Sequence, residues 1–191
     1  KNKNIKEINS SQGFLIDSKN NIYPNYDNII NCSYTNPNMG LKKKFNLKYE
    51  LAGMVKIKNP FKQQIGITIM DGKFVTLYPR DKYFSSLSSV TYTPIKKFKN
   101  LNSLYKFQKK FKLDKNNRIE LIKKDIRKYF NQNLKIKNSL LITAPKTKIY
   151  NDAKDQRPSL IKRNKKTFSI LAGKIDVAPI IYEKLLKKID I

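Results

Sequence analysis

Histidine is absent from the 191 residues, and cysteine occurs once, at position 32. Without an imidazole the chain can build no Ser-His-Asp triad, no histidine general base and no ordinary histidine metal site. A single cysteine excludes an intramolecular disulfide and a cysteine-cluster zinc site. Cys32 also lacks the imidazole that usually activates a thiolate, and reads as a small, inert or interfacial side chain. Acidic residues are scarce too: 14 Asp and Glu stand against 41 Lys and Arg. No run approaches the roughly 20 apolar residues of a membrane-spanning helix. Residues 1–11 are too polar to form the apolar centre of a signal peptide. These absences argue against an enzyme and imply no cofactor, no metal and no small-molecule substrate.

What the chain does have is positive charge, a net +27. A surplus of that size opposes compaction by self-repulsion unless a polyanion neutralises it. Nucleic acid is the first such partner and an anionic membrane surface the second. The cations are 36 lysines and 5 arginines, and Lys, Asn and Ile together fill 81 positions. Their codons are A/T-rich, so the preference for lysine over arginine records an AT-rich genome as well as a function. Codon usage does not account for the charge balance, because asparagine could replace many of these lysines under the same pressure.

Residues 1–46 are rich in Asn, Lys and Ser, with apolar residues only in short patches, and read as an extended tail that orders against a partner. Residues 47–191 read as a single α+β domain, a small antiparallel sheet with packed helices. The clearest local pattern is 64–78, where apolar residues alternate on both sides of Asp71 and Gly72. That dipeptide between alternating runs predicts a hairpin with a type I′ turn, pairing Ile69 with Phe74, Ile67 with Thr76 and Ile65 with Tyr78. Residues 47–57 supply a neighbouring strand and 89–93 a weaker one. Helical spacing predicts a helix over 101–111. A second follows Asp114 as N-cap, carries Ile119, Ile122, Ile126, Tyr129 and Phe130, and ends near residue 131. A buried strand at 139–144 is stopped by Pro145. A basic loop spans 146–166, a short strand 167–172, and a last helix 177–189.

Two triplets, Leu51, Ala52, Gly53 and Leu171, Ala172, Gly173, stand out, the second continuing as Lys174, Ile175, Asp176. Residues 171–179 resemble the motif of the LAGLIDADG homing endonucleases. The resemblance implies two packed motif helices, each ending in an acidic residue that holds a divalent metal against DNA. In this chain Lys56 and Lys58 stand near the metal-ligand position of the first copy, and an ammonium group repels Mg²⁺. Lys174 falls where a packed helix needs an apolar side chain. Such an endonuclease is the third reading. The residues themselves read as a strand ending at Ala172, a turn at Gly173, and Asp176 capping the last helix.

Basic residues are spread over nearly every predicted element rather than gathered on one recognition helix. That distribution suits a protein embedded in RNA and touching phosphates from several sides. The expectation is a structural protein of a mitochondrial or other organellar ribosome from an AT-rich lineage, binding rRNA and neighbouring ribosomal proteins in the mitochondrial matrix. The rival is a basic accessory subunit of a large organellar membrane complex. The residues singled out for phosphate contact are Lys42, Lys43 and Lys44; Arg80; and Arg157, Lys162, Arg163, Lys165 and Lys166 in the 146–166 loop.

Overall fold

Strands outnumber helices in the computed structural model, which describes residues 3–70, 72–111, 115–130, 134, 136, 138–150, 158–173 and 175–189. The strands are β1 (Ile5–Asn9), β2 (Phe14–Asp17), β3 (Ile22–Tyr23), β4 (Ile29–Asn31), β5 (Leu47–Lys58), β6 (Ile67–Ile69), β7 (Val75–Pro79), β8 (Phe84–Ser89) and β9 (Pro94–Phe98). Helices α1 (Leu101–Lys110) and α2 (Lys115–Arg127) follow. The chain closes with β10 (Leu140–Ile149), β11 (Leu160–Asn164), β12 (Thr167–Leu171), a 3-10 turn (Ile175–Val177) and α3 (Ala178–Leu186). The class is α+β with mostly antiparallel strands, as the sequence predicts.

The chain divides into two compact units, residues 1–48 with 147–191, and residues 49–146. Among the described residues of 1–46 there is no helix, and their strands pair within the chain. β1, β2 and β3 form an antiparallel sheet, and β4 adds to a second sheet in the order β11-β12-β4, parallel to β12. Turn chemistry explains the first sheet. Asp17 Oδ1 accepts from the N–H groups of Lys19 and Asn21 at 2.8 and 3.0 Å, and Oδ2 accepts from Asn21 Nδ2 and Tyr23 Oη, both at 2.9 Å. This carboxylate closes the turn between β2 and β3 by replacing backbone partners. The Asn21 side chain, with the other donors, holds it far below the usual carboxylate range.

In the unit of residues 49–146 the principal sheet runs β10-β5-β8-β7-β6, and β9 also pairs with β5. Val55, Leu87 and Leu77 lie in one row on its inner face. They pack with Ile57, Val75 and Leu141 and with Ile119, Ile122 and Ile126, the buried stripe of α2. Asn100 caps α1 by accepting from the Ser103 N–H at 2.8 Å, and Leu104 is its fully buried residue. Helix α2 ends at Arg127, short of residue 131. Asp114, its expected N-cap, lies outside the described residues.

The hairpin of 64–78 forms one residue out of the expected register. Ile67 pairs with Leu77, Thr68 with Thr76 and Ile69 with Val75, and the connecting loop is longer than two residues. Burial decides it: Val75 and Leu77 are almost inaccessible, and this register sets them across from Ile69 and Ile67. The two-residue turn would have put Thr76 on that face, because a one-residue slip inverts a strand. Gly72 keeps its left-handed φ of +63°; Asp71 lies outside the described residues.

Further expectations are corrected. Ser89 ends β8 and residues 90–93 turn after it, with Ser89 N–H donating to Thr93 Oγ1 and Thr93 N–H to Ser89 O. β10 runs through Pro145, because β10 ends its sheet and a free edge tolerates a residue without an N–H. The basic loop of 146–166 contains the end of β10 and all of β11. Neither Leu-Ala-Gly triplet is helical. The first lies in β5, where Gly53 leaves room for Ile95 Cδ1 and Leu141 Cδ1, which would sit 2.9 and 3.2 Å from a Cβ. The second closes β12. Val177 holds the N-cap position of α3 without a side-chain bond, so Asp176 does not cap it.

Candidate nucleic-acid interface

β11 and β12 form a hairpin with Leu160 opposite Leu171, Lys162 opposite Ser169 and Asn164 opposite Thr167. The two residues between the strands are Lys165 and Lys166. Lys165 takes φ +49°, a left-handed value that lysine rarely adopts. Lys166 is clamped through its backbone: its N–H donates to Ser10 O at 3.1 Å and its carbonyl accepts from Ile29 N–H at 2.8 Å. Its side chain crosses Gly13, where an added Cβ would lie 2.9 Å from Lys166 Cδ and 2.2 Å from Tyr26 O. The tip of the hairpin is thus fixed, with the exposed Lys165 side chain at its end.

Lys42, Lys43 and Lys44 are all exposed, between the buried anchors Leu41 and Phe45. The Asn38 side chain bridges this loop, donating to Phe45 O at 3.0 Å and accepting from Phe45 N–H at 2.7 Å. Gly40 O accepts from Asn164 Nδ2 at 2.7 Å and from Ser10 Oγ. Ser169 Oγ donates to Pro37 O. Lys162 Nζ donates to Lys44 O at 2.7 Å and lies 4.6 Å from the Phe45 ring centroid. The fold therefore brings Lys162 to the 42–44 run across 118 residues of chain.

Arg163 points away from this cluster. Its guanidinium carbon lies 5.0 Å from the Phe168 ring centroid, Nη1 donates to Lys188 O and Nε to Lys165 O, both at 3.2 Å. It ties the hairpin to the carbonyl end of α3, where a cation is electrostatically favoured. Arg163 remains exposed, and these contacts orient it. Arg157 lies outside the described residues. Arg80 belongs to the other unit and is exposed just after β7, its N–H bonded to Phe84 O at 2.8 Å. Tyr78 and Tyr83, close to Arg80 along the chain, are exposed as well, and the alternation through β7 is the signal that sets Tyr78 outward.

No group of three or more His, Cys, Asp or Glu side chains that could hold a metal ion occurs among the described residues. No helix among them is long and apolar enough to cross a membrane. No protein-family model matches the chain, and no curated protein matches it. What the arrangement offers chemically is clustered ammonium groups on a rigid support, suited to phosphate oxygens at short range.

Proposed function

We propose that the protein is a structural RNA-binding component of an organellar ribosome, most simply a mitochondrial one, that braces rRNA without catalysis. The observation that carries the reading is the meeting of Lys162 with the 42–44 lysine run beside the Lys165–Lys166 hairpin tip. Even if every acidic side chain paired with one cation, 27 cations would remain. Lysines stand exposed on strands, turns and helices alike, which favours an enveloping polyanion over a flat membrane surface. A neighbour rich in acidic protein or anionic lipid is the competing environment.

The deciding experiment is sedimentation of organelle lysate with and without ribonuclease. The protein is expected to travel with a ribosomal subunit and to leave that fraction when RNA is digested. Migration with a membrane complex, unaffected by ribonuclease, would replace this reading with the accessory-subunit one.

A further inference from the structure

The outer face of the β5-β8-β7 sheet carries a row that the function above does not use. The core register puts Val55, Leu87 and Leu77 inward, so Lys56, Ser86 and Tyr78 align on the opposite face. The next row sets Lys58 beside Phe84. Tyr78 is 61% exposed although it sits in a strand. Its ring is packed over Gly66, where an added Cβ would lie 3.3 Å from two ring carbons. That contact supports the ring, while its exposed area remains open to solvent. The Lys56 ammonium is held 3.6 Å from the Phe84 ring centroid, which fixes a cation above the sheet in a cation–π contact. Two strand spacings, about 9.5 Å, separate the Tyr78 and Lys56 positions. Arg80 continues from the Tyr78 strand and presents a further exposed cation.

We infer that this face is a platform for unpaired RNA nucleotides. Tyr78 stacks on a base, and Lys56, Lys58 and Arg80 neutralise the phosphates to either side. An exposed aromatic on an open sheet, flanked by cations, recognises single strands, because every base has a π-face and a duplex hides it. Charge complementarity selects a polyanion over an apolar protein partner. The inference rests on the RNA-binding reading and adds to it a preference for single strands, at a place separate in the sequence from the lysine hairpin.

The test measures affinity of the full chain for an oligouridylate of about 12 nucleotides and for an RNA duplex of about the same length. Tyr78→Ala is expected to weaken single-strand binding about 5- to 100-fold, with the loss confined to the single strand. Tyr78→Phe should rescue it, since the ring is retained. Lys42→Ala with Lys43→Ala and Lys44→Ala should weaken both ligands. Circular dichroism checks that each variant is folded. If Tyr78→Ala binds the single strand as tightly as the parent, or weakens both ligands equally, the platform is overturned while RNA binding by the parent stands. If the parent binds neither RNA, the RNA-binding reading falls and the platform with it.

Discussion

Single residues set backbone and charge constraints that can be tested without any ligand. Gly72 sits at φ +63°, and among the described residues beyond its chain neighbours no atom lies within 4 Å of where a Cβ would be. A substitution there meets resistance from the backbone and none from crowding. Gly72→Val is expected to cost about 1 kcal/mol or more, read as a lowered thermal midpoint; an unchanged midpoint would remove the glycine requirement. Charge is tested through Asp17 and Asp125. Burial pushes the Asp125 carboxyl up, but hydrogen bonds from Lys128 and Ser89 outweigh it, and the group lies below its ordinary value. Its Oδ1 is 2.8 Å from Lys128 Nζ, and its Oδ2 accepts from Ser89 Oγ. Both carboxylates are depressed in the folded state. Their stabilisation is complete above the unfolded pKa of about 4 and is lost as pH falls through the folded values. Thermal midpoints from pH 7 downward should hold until about pH 5 and then fall. Asp125→Asn should fall less steeply.

At the scale of elements, the β11–β12 hairpin lets stability be tested against the proposed RNA binding. A lysine at φ +49° is strained, and glycine is not. Lys165→Gly is expected to raise stability by about 1 kcal/mol and to lower RNA affinity, so melting and filter binding should move in opposite senses. A variant unchanged in affinity would take Lys165 out of the contact set. Elements with strong periodicity were legible in the sequence: α1, the Ile119, Ile122, Ile126 stripe of α2, and β5. β8 was not, because its Ser85, Ser86, Ser88 and Ser89 carry little strand signal. Three of these serines are buried and their hydroxyls find partners: Asn59, the Tyr78 carbonyl and Asp125. The hairpin of β6 and β7 was placed correctly but slipped by one residue, since turn chemistry and core burial disagreed and burial won. Lys162, Lys165 and Lys166 were singled out from charge alone. The support of Lys162 and Lys166 was invisible, because it depends on Lys44, Ser10 and Ile29, far away along the chain.

For the whole molecule, the proposed RNA binding is tested through counterion release. RNA affinity should fall linearly on logarithmic axes as salt rises, with a slope of about 0.7–0.9 for each phosphate neutralised. Replacing Lys42, Lys43 and Lys44 together by alanine should flatten that slope by roughly 2–3. A slope identical to the parent would exclude the 42–44 run from the phosphate contacts.

The parallel pairing of β4 with β12 has a consequence for synthesis. Residues 49–146 form a contiguous unit whose partners all emerge together, so that unit can fold as soon as it leaves the translating ribosome. β4 must wait for β12, and Pro37 waits for the Ser169 hydroxyl, made 132 residues later. Throughout that delay the lysines at 42–44 are carried on a strip whose sheet partner does not yet exist. Loop closure of that length is slow compared with local folding. The early segment is therefore free to meet an anionic surface before its own sheet can close around it.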